Sequence, residues 1–329
     1  MPLDPRYELL LSRVLAALRP VLIAFLVMHG TALSRGVATP LSFCNILFVG
    51  NLCAALVVLS WFKPGPIWSD LKRLPKRVRW GLVLDGGLAA LNSALIYTGL
   101  EYTSSTNAIL LGRLAPVLYA LAGAVVFGRL ISRREWLGFG FIIAGTLVVA
   151  LIGANWIVNK GDVLILLSAV VFAISSVLGK AVLDQDVSLR ALVFVRNAAS
   201  SLIFFVIANV VFGPHHFADA FSGQLWIVMA IYALLIIVVA QFLWFDASSK
   251  LDSISVGRWA TPAPAIGVLA AALLNRQWPA SNQLLGMLVI MVGVVITAFG
   301  KTRPAKRKQE REQMAELAAN AANAIAPVT

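Results

Sequence analysis

Ten apolar blocks, each near the length that crosses a bilayer, constrain this chain more than any other feature. They fall at about 14–35, 41–62, 80–100, 104–127, 135–153, 162–183, 189–212, 224–246, 252–274 and 282–300. Roughly 20 apolar residues span the ~30 Å of hydrocarbon. In that medium every backbone N–H and C=O must find its partner inside the chain, which leaves helices as the spanning form for segments this long. The expected fold is an all-α polytopic membrane protein with ten transmembrane helices. Composition agrees: 60% of residues are hydrophobic and 13% charged, where soluble domains carry about 25% charged residues. Pro2 to Arg13 is mixed and charged, with no small-residue cleavage site behind a short apolar run. No cleavable signal peptide is expected, and the first helix serves as the insertion signal.

The net charge of +12 is unevenly spread. Lys63, Lys72, Arg73, Lys76, Arg77 and Arg79 lie between helices two and three; Arg129, Arg133 and Arg134 lie between four and five. Lys301, Arg303, Lys306, Arg307, Lys308 and Arg311 follow helix ten. With ten alternating helices all of these fall on one side, and the opposite loops hold only Lys160 and Arg276. Such an excess marks the cytoplasmic face. Both termini are therefore expected in the cytoplasm and the chain in the inner (plasma) membrane. The basic excess serves topology, so no nucleic acid is expected as a partner. Cys44 and Cys53, nine residues apart on helix two, stand about 13 Å apart along the axis, too far to bridge. His215-His216 is a lone pair in a short loop, and nothing has the spacing of metal ligands, so no metal and no cofactor is expected.

Two short segments depart from this apolar background: Gly112-Arg113-Leu114-Ala115-Pro116 and, 145 positions later, Gly257-Arg258-Trp259-Ala260-Thr261-Pro262. A guanidinium at the centre of a membrane helix costs at least about 2.5–3.5 kcal/mol. Bearing that cost twice at matching places points to a use for the charge and to an internal repeat. Other matches extend it. Ala32-Leu33-Ser34-Arg35 resembles Val177-Leu178-Gly179-Lys180, and Glu101 matches Asp246. Val49-Gly50-Asn51 resembles Val195-Arg196-Asn197; Gly138 and Gly145 recur as Gly286 and Gly293. Five helices per unit is an odd number, so the copies enter the membrane from opposite sides, an inverted-topology repeat of the kind secondary carriers use. The expected domains are a first repeat over 1–157 (helices one to five), a second over 158–300 (helices six to ten) and a basic cytoplasmic tail over 301–329.

The run Tyr97-Thr98-Gly99-Leu100-Glu101-Tyr102-Thr103-Ser104-Ser105-Thr106-Asn107-Ala108, followed by Pro116 and by Ser132-Arg133-Arg134-Glu135-Trp136-Leu137-Gly138, resembles the EamA-type pattern of the drug/metabolite transporter superfamily. The second copy, Trp244-Phe245-Asp246-Ala247 to Pro262 and then Leu284-Leu285-Gly286 to Gly293, is similar. The resemblance covers nearly all of 14–300. It implies a ten-helix carrier with a central cavity lined from both repeats, helices three, four, eight and nine among them. Two departures stand out. Arg129 and Arg276 occupy places where the family often has glutamate, and Arg113 and Arg258 occupy places that are usually apolar or small.

Depth follows from the 1.5 Å rise per residue. Arg113 lies roughly 14 Å from the outer end of helix four and Arg258 roughly 9 Å from the cytoplasmic end of helix nine. Both are expected to face a cavity and to clamp a carboxylate or phosphate on their planar donor forks. Trp259, Tyr97, Trp244 and Asn92 are further candidates to line the cavity. Asp85, the one acid read as deep within a helix, is a proton-coupling or ion-pair candidate with Arg196 or Arg258. Arg35 and Lys180, near the ends of helices one and six, are gating candidates or interfacial anchors. Pro116, Pro262 and Pro264 remove backbone donors and should break helices four and nine. The expected function is secondary transport of a small anionic or zwitterionic metabolite (an organic acid, amino acid or phosphorylated metabolite) by alternating access. The expected assembly is a monomer or homodimer in the lipid bilayer. The alternatives are a polytopic membrane enzyme or a channel, but no Walker A, HExxH, GxSxG or paired-carboxylate spacing supports an enzyme.

Overall fold

A computed structural model describes residues 4–29, 43–128, 130–152, 159–212, 223–251, 259 and 263–298. Arg35, Arg258, Pro262, Arg129, His215-His216 and the tail 301–329 lie outside these residues. The chain runs through α1 (Pro5–Met28), α2 (Phe43–Phe62), α3 (Pro64–Arg73), α4 (Lys76–Leu100), α5 (Ser105–Leu111), α6 (Leu114–Phe127) and α7 (Arg133–Leu147). It continues through α8 (Lys160–Leu183), α9 (Leu189–Ile207), α10 (Gly223–Tyr232), α11 (Ala240–Lys250), α12 (Ala263–Leu274) and α13 (Ser281–Ala298). Wider π turns extend α7 over Val148–Ile152 and α9 over Ala208–Phe212, and join α10 to α11 over Ala233–Val239.

Among the described residues seven helices, with α5 and α6 taken as one, are long and apolar enough to cross a membrane. The count is eight if α2 and α3, bent by 97°, form one span; α12 and α13 are shorter apolar helices. The bend falls at Lys63, whose φ of 61° turns the chain out of α2, and Pro64 then starts α3. Ile67 is the one buried residue of α3, and Asp70 ties it to α9 through Arg190 (2.7 Å) and Ser188 (2.6 Å). The Arg190 guanidinium, helped by the Ser188 hydroxyl, holds the Asp70 carboxyl below the usual carboxylate range.

The first helix begins nine residues before the expected position 14. Asp4 caps it, its carboxylate accepting from the Arg6 N–H at 2.8 Å, and Pro5 takes the first helical position. The polar start is tolerated because it faces α11. The Ser12 hydroxyl donates to the Ala240 carbonyl at 2.8 Å, and the Glu8 carboxyl stands beside Asp246. Arg13 and Arg19 are thereby carried well into the helix.

Helix packing is matched in pairs. α4 lies on α8 as α11 lies on α1; α6 lies on α8 as α12 lies on α1; α2 packs on α9, and α7 on α13. The α7–α13 crossing shows the pairing at single residues. A Cβ on Gly138 would stand 2.7 Å from the Gly293 carbonyl oxygen, and one on Gly145 would stand 2.7 Å from that of Gly286. The reverse approaches are equally close, at 2.6 Å for Gly293 and 2.9 Å for Gly286. Exchanging each glycine for its counterpart 148 positions away maps one contact onto the other, the signature of a two-fold relation. Small residues that admit close backbone approach are the usual basis of helix association in lipid. A Gly145→Val substitution forces side-chain atoms onto the α13 backbone, and overpacking of this kind costs about 1–3 kcal/mol. The melting temperature in detergent should fall for Gly145→Val and stay unchanged for Gly140→Ala, where a Cβ meets nothing within 4 Å.

Candidate functional site

Pro116 cannot donate to the carbonyl of Gly112, and a ring at that position crowds the preceding turn. The chain responds by tightening. Arg113 N–H bonds to the Leu110 carbonyl and Ala115 N–H to that of Gly112, both at 3.1 Å and three residues back. The break between α5 and α6 therefore falls at Gly112-Arg113, one turn before the proline, and Arg113 sits at its corner. Pro264 lies in α12, which begins immediately after residues 260–262, and these fall outside the described residues.

Arg113 faces a cavity of about 170 Å³ bounded by α1, α4, the α5–α6 break and α8. Two further arginines line it, Arg13 and Arg19 of α1, with Asn92 of α4, Ser168 of α8 and the apolar Ile96, Ile109 and Phe172. The arginines are held differently. Arg19 donates to Ser93 Oγ at 2.7 Å and stands beside Tyr232. Arg13 lays its guanidinium 3.8 Å over the Trp244 ring, a cation–π contact, and grazes Ser12 Oγ at 3.4 Å. No hydrogen bond or ion pair reaches the Arg113 guanidinium among the described residues. The Nε atoms of all three are buried without a partner there, as is Asn92 Oδ1. Arg13 and Arg113 also repel one another. Among the described residues no carboxylate lies within salt-bridge distance of any of the three. Among the described residues the cavity concentrates positive charge with no countercharge beside it.

Asp85 and Arg196 meet elsewhere. Arg196 Nη1 donates to both Asp85 oxygens at 2.7 and 2.6 Å and to Ser175 Oγ at 3.0 Å; Ser175 Oγ donates to Asp85 Oδ1 at 2.6 Å. This node joins α4, α8 and α9, with Asp85 wholly buried. The geometry selects Arg196 as the partner of Asp85, and the pair does not line the cavity. Tyr97 is buried in the cluster formed with α2 and α9, away from the cavity wall. Trp259 meets Tyr7 edge-on at 5.5 Å. Lys180 and Trp244 line a second cavity of about 150 Å³ with Tyr119, Ser176, Asp184, Phe245 and Ser248. Trp244 thus stands between that cavity and Arg13.

At the other end a polar network binds the start of α5 to α8 and α13. Thr103 Oγ1 donates to Asp162 at 2.5 Å, and Asn107 Nδ2 donates to Asp162 at 3.2 Å. Gln283 Nε2 donates to Asn107 Oδ1 at 2.6 Å. The network sits one turn beyond the cavity-lining Ala108 and Ile165.

The expected lining by helices three, four, eight and nine is met in part. Helices three and four line the cavity as α4 and α5–α6, joined by the first and sixth as α1 and α8. The eighth approaches through Trp244 and Tyr232, which stand beside Arg13 and Arg19. No described residue of α12 lines the cavity; its Gly267 packs against Ala17 and Ile109, with a Cβ there only 3.1 Å from each. Arg13 and Arg19 were not among the sequence candidates. Arg19 lay inside the first expected span, an intramembrane charge as conspicuous as Arg113, and it was the signal available.

A helical bundle with lipid-length apolar helices and a charged internal cavity defines a transmembrane transporter. The chain belongs to the EamA-like transporter family, whose profile matches residues 14–151 and again 159–299, within the drug/metabolite transporter superfamily. It is 27% identical over 315 residues to an uncharacterized transporter of Synechocystis sp., covering 93% of this chain and 90% of that one. An uncharacterized transporter of Bacillus subtilis is 24% identical over 79% of this chain and 82% of its own length. Another, of Archaeoglobus fulgidus, is 26% identical over 77% and 86%. A solved crystal structure superposes with a TM-score of 0.55 at 19% identity, over 87% of this chain and 96% of the other, a likeness of fold.

Removing one member of the Asp85–Arg196 pair leaves a buried charge unpaired, which costs about 3–5 kcal/mol. Asp85→Asn and Arg196→Gln should each lower the melting temperature more than the double variant does, since the double variant buries no uncompensated charge. Equal, additive losses in a double-mutant cycle would show that the two side chains act independently.

Proposed function

We propose that the chain is a secondary active carrier for a small anionic metabolite in the inner membrane, with both termini cytoplasmic. The observation that carries this reading is the cavity with three guanidinium groups and, among the described residues, no carboxylate beside them. Such a site attracts negative charge, and it offers nothing to balance the ammonium of a zwitterion. Ten helices in two inverted five-helix repeats, 1–157 and 158–300, suit this reading, and the reciprocal glycine contacts between α7 and α13 support the two-fold relation it needs.

In this mechanism the substrate enters from one side and is gripped by Arg113 and Arg13, with Arg19 adding fixed charge behind them. Arg113 sits at a helix break whose tightened turns can open without disrupting α5 or α6. Rocking of the repeats about the α7–α13 crossing would expose the cavity alternately through the polar network at Asp162 and through the Arg13–Trp244 stack. Arg258 would join the clamp from the second repeat, and Lys180 would receive the anion in the second cavity.

Purified protein in proteoliposomes should show saturable counterflow of an organic acid or phosphate. Loss of one charge-assisted contact is worth about 1.5–3 kcal/mol. Arg113→Gln should therefore raise KM for transport by about 10- to 100-fold, with the melting temperature of the empty protein kept or raised. Wild-type kinetics in that variant, or substrate turnover without net translocation, would sink the proposal.

A further inference from the structure

Resting on the carrier reading, the geometry points to a narrower substrate class: a dianion of a few carbons that bears a hydroxyl beside its charged group. The argument begins with how many charges remain to be met. Arg19 is committed to Ser93 and Tyr232, whereas Arg113 has no partner among the described residues and Arg13 rests only on an aromatic face and a long contact to Ser12. Among the described residues two guanidinium groups are therefore available, and they repel one another across the space. A monoanion would leave one of them uncompensated among Ile96, Ile109 and Phe172. A dianion satisfies both and turns their repulsion into attraction to a common centre, with each planar fork able to donate to two oxygens.

The hydroxyl follows from the remaining polar groups. Asn92 is 6% exposed, and its Oδ1 is buried without a partner among the described residues. That oxygen requires a donor, which neither a carboxylate nor the dianion of a phosphate monoester provides. Ser168 spends its proton on the Ile165 carbonyl at 2.6 Å, so towards the cavity it too can only accept. Size sets the last limit. The cavity holds about 170 Å³, room for a short chain. Short hydroxylated dicarboxylates and short phosphate monoesters share this chemistry.

Thermal stabilisation and counterflow of the purified full chain at pH 8 and constant ionic strength test the inference, with malate, glycerol 3-phosphate, succinate, glycerate and glycerol as probes. Malate or glycerol 3-phosphate, or both, should bind at least tenfold more tightly than glycerate, which keeps a hydroxyl but has one charge. The better of the two names the source. Malate should also bind better than succinate, and Asn92→Ala should abolish that preference. Arg13→Gln should reduce the preference for dianion over monoanion to within about twofold; Arg113→Gln is the second variant if Arg13→Gln does not fold. Glycerate binding as tightly as the dianions overturns the inference and leaves the anion carrier standing. Succinate matching malate overturns the hydroxyl assignment. Stabilisation by organic amines with none by any anion would overturn the carrier reading itself.

Discussion

Lipid gives apolar side chains no reason to prefer one another, so the bundle depends on close backbone approach where side chains are smallest. The four glycines of the α7–α13 crossing are the clearest case, with carbonyl oxygens set where a Cβ would otherwise stand. Gly86 does the same between α4 and α9, where a Cβ would come within 2.6 Å of Ala199 Cβ. These crossings bring α4 to α9 and α8 closely enough for Asp85, Ser175 and Arg196 to meet. They also draw α4, α8 and α1 around the break in the fourth segment, so the cavity is a by-product of where packing is tight and where it is interrupted.

Buried arginines take two opposite forms in this molecule. Arg196 has its countercharge in Asp85 and behaves as a structural bolt. Arg13 and Arg113 have none among the described residues, although Asp85 belongs to the same α4 that carries Asn92 into the cavity. An unmet buried charge is expensive, so a fold that settles one and leaves others open has separated the cost of stability from the cost of binding. Ser93 and Tyr232 hold Arg19 between these extremes by supplying polar contact without neutralising it.

Much of this was legible in the chain. Apolar block length marks ten segments, of which seven, or eight with the bent pair, are long enough to cross a membrane among the described residues. The recurrence of Gly138 and Gly145 as Gly286 and Gly293 marks the pair that lies face to face, and Asp85 is a candidate partner for a nearby arginine. What the sequence hid has physical causes. Hydropathy alone started α1 too late, because a capped, polar first turn can be helical when it faces α11, and Arg13 was lost with it. The break at Gly112-Arg113 appears one turn before Pro116 because a proline acts on the carbonyl four residues back. Tyr97 and Trp259 carry the same aromatic signal as Trp244, and only tertiary packing sets Trp244 under Arg13, Tyr97 in the cluster with α2 and α9, and Trp259 against Tyr7. The π turns that lengthen α7 and α9 leave no mark in the apolar pattern.

The uncompensated guanidinium groups bear on the return half of a transport cycle. Sealing the cavity around a bound dianion encloses one remaining positive charge, whereas sealing it empty encloses three. Against a membrane potential, each such charge that shifts across the field is worth about 2.3 kcal/mol per 100 mV. On the carrier reading, the residues that grip the ligand are then also the reason to avoid crossing without one. A protein built this way is biased towards exchanging one anion for another, its direction set by the two pools it connects.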